Sequence, residues 1–141
     1  MFEVTREGES FKINFSATLK NVDKAGRETR HFLKSIGRDN CIFEVLLLMR
    51  EALNNAVQKG CKQDINKTVR YSIDLENESL IMKVEDDGDG FDWKKYMGRK
   101  QVPESDHGRG LQIMKKYSNE INYNKAGNSL SIIKHLTGCN K

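Results

Sequence analysis

The first pattern along the chain is an alternation of apolar and polar residues. Residues 11–15, Phe-Lys-Ile-Asn-Phe, alternate with period two, which predicts a strand with one buried and one solvent-facing side. From Asn21, the expected N-cap, apolar residues recur at helical spacing as far as Ile36, and Gly37 is placed to end the helix. A strand followed by a helix therefore opens the predicted fold.

The broadest apolar stripe lies between Cys41 and about Lys59. At roughly 100° per residue, its apolar residues fall on one face, which predicts a helix packed on the core. Gly60 is expected to end this helix with a positive φ. The opposite face is predicted to carry Glu44, Leu48, Glu51, Asn55 and Gln58. On that face Glu51 and Asn55 are neighbours at i, i+4.

Two β-hairpins are predicted in the second half of the chain. Their strands are expected at residues 69–75, 80–84, 121–123 and 129–136. A short helix is predicted over 111–117, and the polar segment 91–105 is predicted to be a mobile loop. Together these elements predict an α/β (α+β) fold, a two-layer sandwich. Its mixed, mostly antiparallel sheet has about five strands, with three helices on one face.

Composition limits the classes of protein that remain. The chain has 141 residues, enough for one domain, and 31% are charged with both signs mixed to a net +4, so no basic stripe for nucleic acid is present. The longest aliphatic and methionine run, Val45 to Met49, is too short to span a bilayer, and the charged N-terminus does not resemble a signal peptide. A cytoplasmic protein without a membrane partner is expected.

The three cysteines are predicted to be ordinary thiols. Cys41, Cys61 and Cys139 are an odd number and form no C-x-x-C pair. That usage is typical of a reducing compartment and disfavours a disulfide framework or a zinc site.

Three short clusters carry the candidate chemistry, and their order along the chain is informative. They are Glu51-Ala52-Leu53-Asn54-Asn55-Ala56 on the second helix, Asp86-Asp87-Gly88-Asp89-Gly90-Phe91 at a strand end, and His107-Gly108-Arg109-Gly110-Leu111 before the third helix. This series resembles the N, G1 and G2 boxes of the GHKL superfamily of ATP-binding domains, which have the Bergerat fold. The resemblance covers most of the chain and is closest to bacterial anti-sigma factor serine/threonine kinases of the partner-switching type.

The resemblance implies roles for the first two clusters that agree with the chemistry of their residues. Asp86 would accept a hydrogen bond from the exocyclic amine of adenine. Gly88 and Gly90, which have no Cβ, would let the backbone bend and the base approach. Asn55 offers an amide oxygen suited to Mg²⁺, and Glu51 is placed to take a proton from an attacking hydroxyl.

The third cluster is expected to bind the triphosphate. Gly108, Arg109, Gly110 and Leu111 lie where a helix N-terminus would surround phosphates with backbone N–H groups. The preceding segment, about 92–107, corresponds to the mobile ATP lid of the family. With it, residues 1–141 are predicted to form a single histidine kinase-like ATP-binding domain.

The resemblance also implies an activity and partners. It implies a kinase that uses ATP and Mg²⁺, binds a sigma factor and phosphorylates a small anti-sigma-factor antagonist; relatives often form a homodimer. Two alternatives stay open: a nucleotide-gated binding module that transfers nothing, and a detached histidine-kinase-type catalytic domain. The sequence departs from the family at Lys59, where many relatives have His, and at Asn128-Ser129, where the family usually has Gly-Thr.

Overall fold

The computed structural model describes residues 1–90, 92, 94 and 109–139 of the chain. Of the predicted lid, only Asp92 and Lys94 are therefore among the described residues. Gly108 of the third cluster lies outside them. The strands are β1 (Phe2–Glu7), β2 (Ser10–Ser16), β3 (Thr68–Glu76), β4 (Ser79–Asp86), β5 (Glu120–Tyr123) and β6 (Ser129–His135). The helices are α1 (Leu19–Ser35), α2 (Ile42–Asn55) and α3 (Arg109–Tyr117).

The six strands form one antiparallel sheet in the order β1-β2-β3-β4-β6-β5. The predicted α+β class, both hairpins and the three helices are confirmed. The sequence predicts a mostly antiparallel sheet of about five strands; the sheet is antiparallel throughout, and β1 adds a sixth strand. Five of the six residues of β1 are exposed, so this edge strand shows no buried alternation that a sequence pattern could reveal.

The core lies between the sheet and the helices. Alternate side chains of the strands are buried on one side of the sheet, beginning with Phe11, Ile13 and Phe15 of β2. α2 is the central helix, since it packs against both α1 and α3. None of the helices in the described part of the chain is long and apolar enough to cross a membrane.

Helix α1 begins earlier than predicted. Thr18 is the N-cap, and its hydroxyl accepts a hydrogen bond from the backbone N–H of Asn21 at 3.1 Å. Asn21 lies inside the helix instead, where its side-chain amide donates to the Ser16 carbonyl at 2.9 Å and ties the helix to β2. Gly37 follows the helix with φ +73°, as expected.

Helix α2 differs from the prediction in its end and its outer face. The α-helix stops at Asn55 and continues as a π-helical turn, Ala56–Gly60. Gly60 does not have a positive φ, and its small size serves another purpose described below. Leu48, placed by periodicity on the polar face, is fully buried. The reason is that α3 packs on α2, so the central helix is covered on more than one side.

The interpretation of all three cysteines as thiols is wrong. Cys41 and Cys139 form a disulfide with a Cα–Cα distance of 5.2 Å, across 98 positions of sequence, and Cys61 is a buried free thiol. Spacing along the chain could not reveal this pair, because the two residues meet only when β6 brings the end of the described chain to the start of α2.

Candidate functional site

The first and second clusters meet at one small cavity. Asn55 at the end of α2 and Asp86 at the end of β4 both line it, together with Tyr123 of β5 and Asn128 of the β5–β6 turn. The cavity measures about 10 Å³, which is room for about one water molecule. Two segments that are 31 positions apart in sequence therefore point polar side chains into the same space.

Asp86 has the burial and the geometry of a ligand acceptor. Its side chain is 6% exposed, and Oδ1 accepts a hydrogen bond from the backbone N–H of Gly88 at 2.8 Å. Burial raises the pKa of this carboxyl, and the hydrogen bond from Gly88 opposes that shift. Because the bond engages only one of the two oxygens, the carboxylate can accept a further N–H from a ligand.

The glycines around Asp86 allow chain segments to approach closely. A Cβ on Gly60 would lie 2.6 Å from Asp86 Oδ2, and a Cβ on Gly88 would overlap the carbonyl oxygen of Gly60. Gly90 has φ +86°, and a Cβ there would overlap the carbonyl oxygen of Ala126. The predicted sharp bend occurs at Gly90. The close approach that these glycines permit is to the chain's own backbone, which packs tightly around the carboxylate.

Asn55 has a buried donor that no described residue satisfies. The residue is 8% exposed, and its Nδ2 has no hydrogen-bond partner among the described residues. An unsatisfied buried donor costs about 1–3 kcal/mol, so a site that keeps one is expected to gain a partner from a ligand. Beside it, burial raises the pKa of Tyr123.

Glu51 lies one turn before Asn55, with its side chain half-buried. It is close enough to Lys59 for their charges to interact: burial lowers the pKa of the Lys59 ammonium, and the negative charge of Glu51 opposes that effect. The residue at which this sequence departs from its relatives thus lies beside the candidate base. Lys59 belongs to the π-helical turn, Ala56–Gly60, that continues α2.

The second departure, Asn128, joins the two sides of the cavity. Its Nδ2 donates to the Gly88 carbonyl at 3.3 Å, and its own carbonyl accepts the Asp86 N–H at 3.0 Å. Asn124 in turn donates to Asn128 Oδ1 at 2.6 Å. Asn128 and Ser129, the two residues where the resemblance implies Gly-Thr, both line the cavity.

The third cluster opens a helix, as predicted. Arg109 and Gly110 are the first two residues of α3, and Leu111 continues it, while Gly108 lies outside the described residues. Since α3 packs against α2, the structure brings α3 to the helix that carries Glu51 and Asn55.

Three residues of the site were not recognised from sequence. Tyr123 lacked a signal because a tyrosine in a strand is ordinary, and Gly60 was interpreted only as a helix stop. Lys59 was noted as a departure from the family pattern, and this was a usable signal. Tyr123 lines the cavity, Gly60 lies against Asp86, and Lys59 lies near Glu51. These positions depend on how β5 and the π-helical turn fold against the rest of the chain.

The donor set fits a purine nucleotide and a hard cation. Asp86 offers a buried anionic acceptor for an exocyclic amine, and Asn55 offers an amide oxygen of the kind that Mg²⁺ accepts. A purine does not fit in about 10 Å³, so nucleotide binding requires more room than this cavity offers.

A six-stranded antiparallel sheet under three helices, with a polar cavity between the central helix and an acidic, glycine-rich strand end, defines a nucleotide-binding α+β domain. The sequence profile of the histidine kinase-like ATPase domain matches residues 15–134, and the chain belongs to this family. The GHKL resemblance is thereby confirmed, and the family implies ATP as the ligand. The chain is also similar to an anti-sigma F factor of Anoxybacillus flavithermus (strain DSM 21510 / WK1), 29% identical over 135 residues, which cover 89% of this chain and 91% of that protein.

Proposed function

We propose that this protein binds Mg·ATP and transfers the γ-phosphoryl group to a serine or threonine of a small antagonist protein, and that it also binds a sigma factor. The observation that carries the nucleotide part is the cavity shared by the buried Asp86 carboxylate and the unsatisfied Asn55 amide. The regulatory part rests on similarity to a protein named as an anti-sigma F factor. The cytoplasmic location expected from sequence belongs to this proposal.

In the proposed complex, the adenine amine donates to Asp86, and the closely packed glycines hold the carboxylate in place. Asn55 would hold Mg²⁺, which supplies charge neutralisation on the phosphates when it is bound. The backbone N–H groups at the start of α3, together with Gly108, would face the phosphates. Phosphoryl transfer depends mainly on positioning and on charge stabilisation, so few further groups are required.

Glu51 is the proposed general base. It lies one helical turn from Asn55, so a hydroxyl in line with the terminal phosphate would come within reach of its carboxylate. Lys59 supplies a positive charge near Glu51.

The test is a transfer assay with labelled ATP, the wild-type protein and candidate antagonist proteins. We expect phosphate on serine or threonine, stable in acid. Glu51→Gln should reduce the transfer rate by about 10²- to 10⁴-fold while leaving Mg·ATP affinity within about twofold. Glu76→Gln, which changes an exposed carboxylate at the end of β3, is the matched control and should transfer at the wild-type rate.

Two other outcomes would replace the kinase assignment. Regulation of a partner that survives Glu51→Gln undiminished, with no transfer by the wild type, would identify a nucleotide-gated binding module. Phosphate that is lost in acid would instead identify a catalytic domain that phosphorylates histidine on another chain.

A further inference from the structure

A buried ion pair lies at the start of α2, away from the cavity at the other end of this helix. Lys134 of β6 and Glu44 in the first turn of α2 are 4% and 6% exposed, and Nζ lies 2.8 Å from Glu44 Oε1. The same ammonium donates to the backbone carbonyl of Tyr117, the last residue of α3, at 2.7 Å. One buried cation therefore joins β6, α2 and α3.

Such a pair is a poor source of stability. Removing two charges from water costs several kcal/mol per ion, and apolar residues of similar volume often replace a buried pair without loss. Apolar residues cannot reproduce the directional hydrogen bond that Lys134 donates. The ammonium can donate to the Tyr117 carbonyl only when that carbonyl lies within a narrow range of positions, and a cation at a helix C-terminus also interacts favourably with the helix dipole.

The position of Tyr117 determines where α3 begins. Because Tyr117 lies beside the first turn of α2 and the two helices pack together, α3 runs back along α2 in the opposite direction. At about 1.5 Å per residue, its first residue, Arg109, lies about 12 Å from Tyr117 along the axis. For nearly antiparallel helix axes, this level corresponds to Ala52, eight residues after Glu44, between Glu51 and Asn55.

We propose that Glu44 and Lys134 are positioning residues that hold the phosphate-facing end of α3 at the correct distance from Asn55. The inference rests on the proposed nucleotide function, and neither residue is suggested to touch the ligand. Backbone N–H groups at a helix N-terminus bind an anion only when they point at it, so a displacement of this end of α3 would weaken its hydrogen bonds to the phosphates, and hydrogen bonds to charged groups contribute about 1.5–3 kcal/mol each. The pair is therefore expected to affect the contribution of the phosphates to affinity and not that of the base.

The test replaces both charges together, in Glu44→Leu/Lys134→Met, so that no single charge is left buried. Urea unfolding measures stability, and titrations with adenosine and with Mg·ATP measure the two affinities. We expect a wild-type or higher unfolding midpoint, an adenosine affinity within about twofold of wild type, and a Mg·ATP affinity lower by at least about 10-fold. The control is Asp23→Asn/Arg50→Gln, which removes the exposed ion pair between α1 and α2 and should change neither affinity.

The positioning role would be overturned if the ratio of Mg·ATP to adenosine affinity were unchanged in the double variant, whether both affinities stay at the wild-type level or both fall by the same factor. If the double variant does not fold, Glu44→Asp keeps both charges but shortens the reach by one methylene. The affinity ratio should then fall, and a wild-type ratio would contradict the inference. Failure of the proposed function would appear differently, as a wild-type protein that binds Mg·ATP no more tightly than adenosine.

Discussion

The two ends of α2 hold equally buried polar residues, but only one end satisfies them. At the start of the helix, Glu44 pairs with Lys134, which also donates to a helix carbonyl. At the end of the helix, the Nδ2 atom of Asn55 has no hydrogen-bond partner within the described part of the chain, and Asp86 has one oxygen to offer. Complete pairing is typical of structure, whereas incomplete pairing indicates where a ligand supplies the partner.

This contrast separates substitutions by what they should damage. Changes at the start of α2 should lower stability when they leave a charge alone, because the partner stays buried. Changes at the end of α2 should weaken nucleotide binding, because the Asn55 Nδ2 donor and the second Asp86 oxygen form no hydrogen bond within the described part of the chain.

The greatest loss of stability is expected from Lys134→Met alone. It leaves the Glu44 carboxylate buried without its cation, which typically costs about 3–5 kcal/mol of unfolding free energy. Urea denaturation measures this value. Lys83→Met, on an exposed position of β4, is the control and should cost less than about 0.5 kcal/mol. Equal losses in the two variants would show that the pair is not stabilising in its context.

Breaking the disulfide should come next. Cys139→Ser releases a link that spans 98 positions, and loss of such a link typically lowers the unfolding free energy by about 2–4 kcal/mol. The comparison is made by thermal unfolding with and without a thiol reductant. Reductant should lower the wild type to the level of the variant and leave the variant unchanged. A difference that persists in reductant would mean that Cys139 acts by packing alone.

At the opposite end, Gly60→Ala should damage both folding and binding. The added Cβ would lie 2.6 Å from Asp86 Oδ2, so the carboxylate must move, and overpacking of this kind costs about 1–3 kcal/mol. Isothermal titration should show Mg·ATP affinity reduced by about 10-fold or more.

Gly26→Ala is the matched control for that change. Gly26 lies inside α1, and its added Cβ would meet only Arg50 Nη2, at 3.7 Å. Alanine should therefore stabilise the helix by about 0.5–1 kcal/mol without affecting nucleotide affinity. Equal nucleotide affinities in the two alanine variants would remove the role assigned to Gly60.

The smallest effect concerns the charge of Asp86 in the unliganded protein. Because burial raises its pKa above the ordinary value of 3.8, the folded state binds a proton more readily than the unfolded state. Stability therefore rises as pH falls through the folded-state pKa, and at pH 7 the carboxylate costs stability. Asp86→Asn should unfold at an equal or slightly higher temperature at pH 7. A lower temperature would show that the charge supports the fold.

Sequence patterns predicted the elements in which buried and exposed positions repeat regularly along the chain. Residues 11–15 of β2 and the hairpin β3–β4 alternate because one side faces the helices, and α1 follows the spacing of its buried face. The exposed edge strand β1 has no such contrast, and the central helix α2 is covered on several sides, so periodicity could not identify Leu48 as buried.

The candidate site was predictable where a short segment carries its own chemistry, as around Asn55 and Asp86. Contacts between distant segments were not predictable, because they depend on the final packing. The Cys41–Cys139 link, the approach of Gly60 to Asp86 and the position of Tyr123 all belong to this second kind.

The most direct measurement is calorimetric titration of Mg·ATP into the wild type and into Asp86→Asn at pH 7. Asparagine can still accept the hydrogen bond from Gly88, but it replaces one anionic acceptor by a neutral amide. We predict saturable binding to the wild type and an affinity at least about 10-fold lower for the variant, as expected for a hydrogen bond to a charged group. No heat from the wild type, or equal affinities in the two proteins, would contradict the assignment of this cavity to ATP.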